Sequence, residues 1–196
     1  MLHSYAATNF QSFRERVEVD LSINRKVELT DWMTVSPTGE RLSKLMAVIG
    51  PNGSGKTALL KPVLFIDWFI GKSFQLLPDA VLPIAPHVAA ANEPIELECM
   101  LDFEGKLWRY VLRCTPQRVL HEALYQKRER FSYVFIRDWD EATNSYLVKQ
   151  QDFGLAPQEA RKVRPNVSLI AWAAQFGVQL AVRMTNSHVS TNVNVL

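Results

Sequence analysis

The chain has 196 residues, a net charge of +2, 47% hydrophobic residues and 21% charged residues. That length holds one domain, at most two, around an ordinary globular core. The near-balanced charge gives no field pointing to nucleic acid or an anionic membrane, and no apolar run approaches the length of a membrane span.

Met1-Leu2-His3-Ser4 leads into a strand pattern, not a basic-then-apolar leader. Cys99 and Cys114 lack C-x-x-C spacing, so neither a zinc site nor a disulfide framework is indicated, and a reducing cytoplasm fits.

Residues 2–9 and 16–23 read as strands joined by Asn9-Phe10-Gln11-Ser12-Phe13. In the second, Val17, Val19 and Leu21 alternate with Arg16, Glu18, Asp20 and Ser22, so one face is buried and one wet. Residues 24–44 are polar, with a turn signal at Ser36-Pro37-Thr38-Gly39.

The apolar run Leu45-Met46-Ala47-Val48-Ile49 then reads as a buried strand feeding Gly50-Pro51-Asn52-Gly53-Ser54-Gly55-Lys56-Thr57, a full G-x-x-x-x-G-K-T match. The residue types follow from chemistry. Glycines at 50, 53 and 55 let backbone N–H groups converge on phosphate oxygens. Lys56 reaches the β- and γ-phosphates, and the Thr57 hydroxyl can hold Mg²⁺. A helix opening through Ala58 adds its positive dipole end to the same anion. The loop alone says neither ATP nor GTP, nor whether hydrolysis occurs.

That helix carries Leu59, Leu60, Val63, Leu64, Phe65 and the run from Ile66 to Ile70, with Gly71 as its expected stop and a bend expected at Pro62. Residues 77–94, with four prolines, read as a long surface connection outside the core, and His87 as a loop histidine.

The strongest β-signal follows. Ile95, Leu97, Cys99 and Leu101 alternate with polar residues, as do Trp108, Tyr110, Leu112 and Cys114 after a turn at Glu104-Gly105. One hairpin register sets Leu101 opposite Trp108, Cys99 opposite Tyr110, Leu97 opposite Leu112, Ile95 opposite Cys114 and Glu96 opposite Arg113. It satisfies both faces and keeps the cysteines apart as core residues. Segments 118–126 and 131–138 alternate likewise, joined by a solvated tip, Lys127-Arg128-Glu129-Arg130. Beyond Val148 the pattern turns helical. Pro157 stands in the first turn of a helix and Ser168 caps another, running through Phe176 and beyond. Thr185 to Leu196 show no closing element.

An apolar strand ending in Asp-Glu, which usually completes a P-loop ATPase, is not evident. Val63-Leu64-Phe65-Ile66-Asp67 must lie on the P-loop helix, and Tyr133-Val134-Phe135-Ile136-Arg137-Asp138 falls in the antiparallel region.

Taken together, this order of parts resembles the N-terminal lobe of ABC-type ATPase heads. The relatives are RecF-, SMC- and OLD-like proteins and the AAA-domain proteins of bacterial phage-defence systems. Asn9-Phe10-Gln11-Ser12-Phe13 is similar to the family's N-F-[KR]-S-[FY] lead-in, and Gly50 to Thr57 to its G-x-N-G-S-G-K-[ST] loop. Segment 95–138, with Glu122-Ala123-Leu124 and Phe135-Ile136-Arg137, resembles the antiparallel layer, and Asn166 to Phe176 the lead to a helical insertion.

The resemblance implies an α/β P-loop NTPase fold: an incomplete ABC-like head with an antiparallel β-layer beside the P-loop core. Its parts are a core with lead-in strands at 1–76, a Pro-rich connection at 77–94, an antiparallel region at 95–150 and a helical start at 151–196. It implies ATP and Mg²⁺ held by Gly50, Pro51, Asn52, Gly53, Ser54, Gly55, Lys56, Thr57 and Ala58, with Thr57 on the metal. It further implies ATP-dependent dimers or higher oligomers and a nuclease or toxin effector partner, with DNA by family analogy only and no membrane. Hydrolysis is expected of a complete head, not of this chain by itself.

Two departures stand out. Gln11 occupies a position that is often basic, leaving Arg14 or Arg16 to supply the phosphate contact. The signature motif, acidic strand and switch histidine of the second lobe are not in this sequence. Gln175 could link metal and water, but reads first as a helix-surface residue.

Overall fold

The computed structural model describes residues 1–187. Its frame is the hairpin of β5 (Ile95–Phe103) and β6 (Lys106–Cys114), whose register matches every pairing expected from alternation, Ile95 opposite Cys114 through Leu101 opposite Trp108. Glu104 and Gly105 both have positive φ, 51° and 72°, the geometry of a two-residue turn whose twist suits a hairpin. On the wet face Arg109 Nε meets Glu98 Oε1 at 2.7 Å, and Arg113 lies 3.8 Å from Glu96.

The sheet extends through β7 (Val119–Lys127), β8 (Phe131–Asp140) and β9 (Ser145–Gln150) on one side. On the other side it continues through β1 (Leu2–Thr8) and β2 (Val17–Asp20). The order is β2-β1-β5-β6-β7-β8-β9, antiparallel throughout. The lead-in strands therefore join the antiparallel layer.

One face of this sheet, including Tyr5, Leu97, Cys99, Tyr110, Leu112, Leu124 and Phe135, forms the core with α1 (Lys56–Lys72). The helix buries Phe65, Ile66 and Phe69 there, each worth about 1.5–3 kcal/mol of apolar burial. It runs unbroken through Pro62 and ends one residue after Gly71. Pro62 has no N–H, so the Ala58 carbonyl lacks its helical donor. Against α1 pack α3 (Leu169–Gln175) and α4 (Gln179–Asn186), separated by Gly177 at φ 71°. A one-turn α2 (Pro157–Ala160) opens with its proline, and Ser168 caps α3 by accepting from the Ile170 N–H. The reading of the tail falls outside the described residues from 188 on.

A buried ion pair joins the sheet to α3. Glu122 on β7 and Arg137 on β8 have fully buried side chains with Oε2 and Nη1 3.2 Å apart. Glu122 also accepts from Tyr110 Oη at 2.9 Å, Ser168 Oγ at 2.7 Å and the Leu169 N–H at 2.9 Å. Arg137 donates to the carbonyls of Val167 and Arg164.

Two expectations are corrected, and the turn expected at Ser36–Gly39 is met. The polar stretch 24–44 holds a small hairpin, β3 (Met33–Val35) with β4 (Arg41–Ser43), closed by the Ser36–Gly39 turn. Thr38 ties that turn to the sheet by donating to Asp102 Oδ1 at 2.7 Å, while His3 Nε2 lies 2.8 Å from Asp102 Oδ2.

Residues 77–94 are not outside the core. Leu82, Ile84 and Ala90 are buried, and side-chain amides fix the backbone: Asn9 Nδ2 donates to the Ala90, Glu93 and Pro94 carbonyls, and Asn166 Nδ2 to those of Leu77 and Ala80. Amide donors spaced like these let an irregular segment pack without losing its hydrogen bonds.

Finally, Leu45–Ile49 is neither buried nor a strand; Leu45 is 62% and Ile49 93% exposed. An apolar run becomes a buried strand only where neighbours flank it, and no described strand pairs with this one.

Candidate functional site: a phosphate cradle at the start of α1

The loop between Leu45–Ile49 and α1 is built on glycine. Gly53 and Gly55 have φ of 80° and 85°, a region costly to any residue with a Cβ. At Gly55 a Cβ would also stand 3.2 Å from the Phe13 ring and 3.3 Å from Ser12 Cβ, and at Gly50 2.8 Å from Ser54 Oγ. Left-handed residues inside a turn bring successive N–H groups to one concave side, which is the shape an anion needs.

Gly55 caps α1 without any side-chain hydrogen bond, and no acidic residue stands in the first turn. The helix thus begins with orphan donors and an uncompensated positive dipole end. Lys56 Nζ bends back over the loop and donates to the carbonyls of Gly50 at 2.8 Å and Pro51 at 2.7 Å. An arriving phosphate would exchange those carbonyls for its own oxygens. Thr57 is exposed beside Lys56, while Ala58 is buried and anchors the first turn. Nest, cation and hydroxyl fit a nucleotide triphosphate with Mg²⁺.

The N-terminal turn supports this loop. Phe10 and Phe13 exchange backbone hydrogen bonds of 2.8 and 2.9 Å, with Asn9 and Gln11 at φ 53° and 49°. Its Ser12–Phe13 side is what a Cβ on Gly55 would meet, so the two most specific sequence motifs touch. The turn itself is pinned to 85–94: Gln11 N–H donates to the Ala85 carbonyl, and Asn9 Oδ1 accepts from His87 N–H at 3.0 Å. His87 Nδ1 in turn accepts from Ala89 N–H, as a loop histidine does.

Of the two arginines expected to replace a basic residue at position 11, Arg16 is drawn to Glu18 and Glu98 on the wet sheet face. Arg14 is exposed, with no side-chain partner among the described residues. The two acidic look-alikes do not converge on the loop. Asp67 lies on α1 itself, and Asp138 on β8 sits 2.7 Å from His121. Gln175 is exposed and turns back toward the Ala171 carbonyl, at 3.5 Å, and residues 127–130 form an exposed hairpin tip. Sequence reasoning missed the Asn9 pin and the burial of Glu122 and Arg137. The inward parity of those two with Leu124 and Phe135 was the available signal.

A family model described as "AAA domain, putative AbiEii toxin, Type IV TA system" matches residues 45–168, well over half of the chain. The chain belongs to this AAA-domain family. The match starts at Leu45 and ends at Ser168, the cap of α3, so it takes in the phosphate loop and all of β5–β9. Among curated proteins, none matches the chain. Among the described residues, no helix of this AAA domain is long and apolar enough to cross a membrane.

Proposed function

We propose that the chain is the ATP-binding part of an ABC-type ATPase, with Mg·ATP held by Gly50–Thr57 and the first turn of α1. The observation that carries this reading is the uncapped start of α1, with Gly53 and Gly55 at positive φ before it and the Lys56 amine folded back over the loop. Lys56 supplies charge to the phosphates, Thr57 Oγ1 a metal ligand, and the backbone N–H groups orient the chain of phosphates. Bound Mg²⁺ would neutralise the phosphate charge. The exposed apolar run Leu45–Ile49 favours a head that is completed by further strands. Such a head dimerises across ATP and couples binding and hydrolysis to a DNA-processing or anti-phage effector partner.

A second reading is a regulatory module that binds nucleotide without turning it over. The positions of Asp67 on α1 and Asp138 on the antiparallel sheet favour it for the isolated chain, since neither carboxylate stands where it could orient an attacking water. Phosphate release by the purified chain decides between the two. Binding without release supports the module, and steady hydrolysis supports an intact ATPase site.

A further inference from the structure

The N-terminal turn has a second side. Phe10 and Gln11 line a groove of about 350 Å³ with Lys61, Leu64, Phe65 and Trp68 of α1 and Pro83 of the packed connection. Small-molecule pockets run from about 300 to 1,000 Å³, so this one has room for a nucleoside but not for a whole triphosphate. Thr57, Lys61, Leu64 and Trp68 recur at helical spacing along one stripe, which leads from the phosphate loop into the groove.

Lys61 stands one turn below Thr57, about 6 Å along the axis. Helical side chains lean toward the N-terminus, the end at which the proposed phosphate site lies, and Lys61 is exposed at the groove. Its amine has no partner among the described residues. Leu64 is half-buried yet lies outside the core cluster, an apolar side chain that lines this groove. Gln11 is held at φ 49° by the 2.8 and 2.9 Å bonds between Phe10 and Phe13, and it lines the groove.

Resting on the phosphate-loop reading, we propose that this groove takes the nucleoside end of the bound nucleotide. Leu64, Trp68 and Pro83 contact the base, Gln11 reads its edge, and Lys61 supplies a cation between the base and the phosphates.

Calorimetry with two probes, ATP and inorganic tripolyphosphate, each with Mg²⁺, tests it. The wild-type chain should bind ATP at least tenfold more tightly than tripolyphosphate. Leu64→Trp, which fills the groove, should bring ATP down to the tripolyphosphate affinity and leave tripolyphosphate unchanged. ATP should also quench tryptophan emission in the wild type but not in Trp68→Phe, a readout independent of how Leu64→Trp folds. Equal affinity for the two probes, or undiminished ATP binding with the groove filled, would overturn the groove while leaving the loop intact. Binding of neither probe would overturn the phosphate site and this inference with it.

Discussion

Replacing Glu122 by leucine removes the carboxylate on which the sheet and α3 converge. The side chain is wholly buried and accepts from Arg137, Tyr110, Ser168 and the Leu169 N–H. Without it, Arg137 stays buried as a cation held by two backbone carbonyls and the Tyr146 ring, 3.8 Å from its guanidinium carbon. Breaking a buried pair from one side costs about 3–5 kcal/mol. That is a large part of the roughly 5–15 kcal/mol that holds a domain folded. With a urea slope of about 2 kcal/mol per molar, the midpoint should fall by about 2 M at unchanged slope. Glu122→Gln keeps an acceptor oxygen and should lose less. Adding Arg137→Met to Glu122→Leu should recover only part of the loss, because the Val167 carbonyl, the Leu169 N–H and the Tyr110 hydroxyl then go unpaired. A Glu122→Leu midpoint within about half a molar of wild type would refute the assignment of this pair as the joint between layers.

Gly55→Ala should weaken ATP binding by about tenfold while the chain still folds, since φ of 85° and the Phe13 ring both resist a Cβ and the loop must shift; binding by calorimetry and far-UV dichroism check the two halves. Cys99 and Cys114 should resist Ellman's reagent at pH 8 until urea unfolds the chain, because burial pushes both thiols up to about 12. Asp102 is buried, which alone would raise its pKa, but hydrogen bonds from His3, Thr38 and Ser36 bring it below the usual carboxylate value of 3.8. Its contribution is therefore full above that value and lost as pH falls through the lower folded one. Asp102→Asn should cost stability at pH 6 and narrow the gap to wild type near pH 2, measured by urea midpoints.

Much of this molecule is written locally. The β5–β6 register follows from alternation on two faces at once, and the Ser168 cap from one side chain before an apolar helix. The glycine-rich turn before α1 is legible because Gly53 and Gly55 answer a backbone demand that residues with a Cβ meet only at a cost. What escaped depends on partners distant in sequence. Glu122 and Arg137 look like surface charges until β7 and β8 are paired and α3 lies over them. Residues 77–94 look like solvent-exposed linker because nothing nearby announces that Asn9 and Asn166, far apart in the chain, will satisfy their carbonyls. Leu45–Ile49 erred the other way. Its apolar pattern states what the segment would bury, and burial needs a neighbour that the pattern does not contain.

The central claim is that Gly50–Thr57 grips nucleotide phosphate through Lys56. Lys56→Ala removes a cation whose only hydrogen bonds among the described residues go to the exposed loop carbonyls of Gly50 and Pro51, so the thermal midpoint should stay within a few degrees of wild type. Charge-assisted hydrogen bonds of about 1.5–3 kcal/mol correspond to roughly a ten- to hundredfold loss of Mg·ATP affinity. Calorimetric titration of the two proteins should show that loss; equal ATP affinity in a folded Lys56→Ala chain would contradict the account.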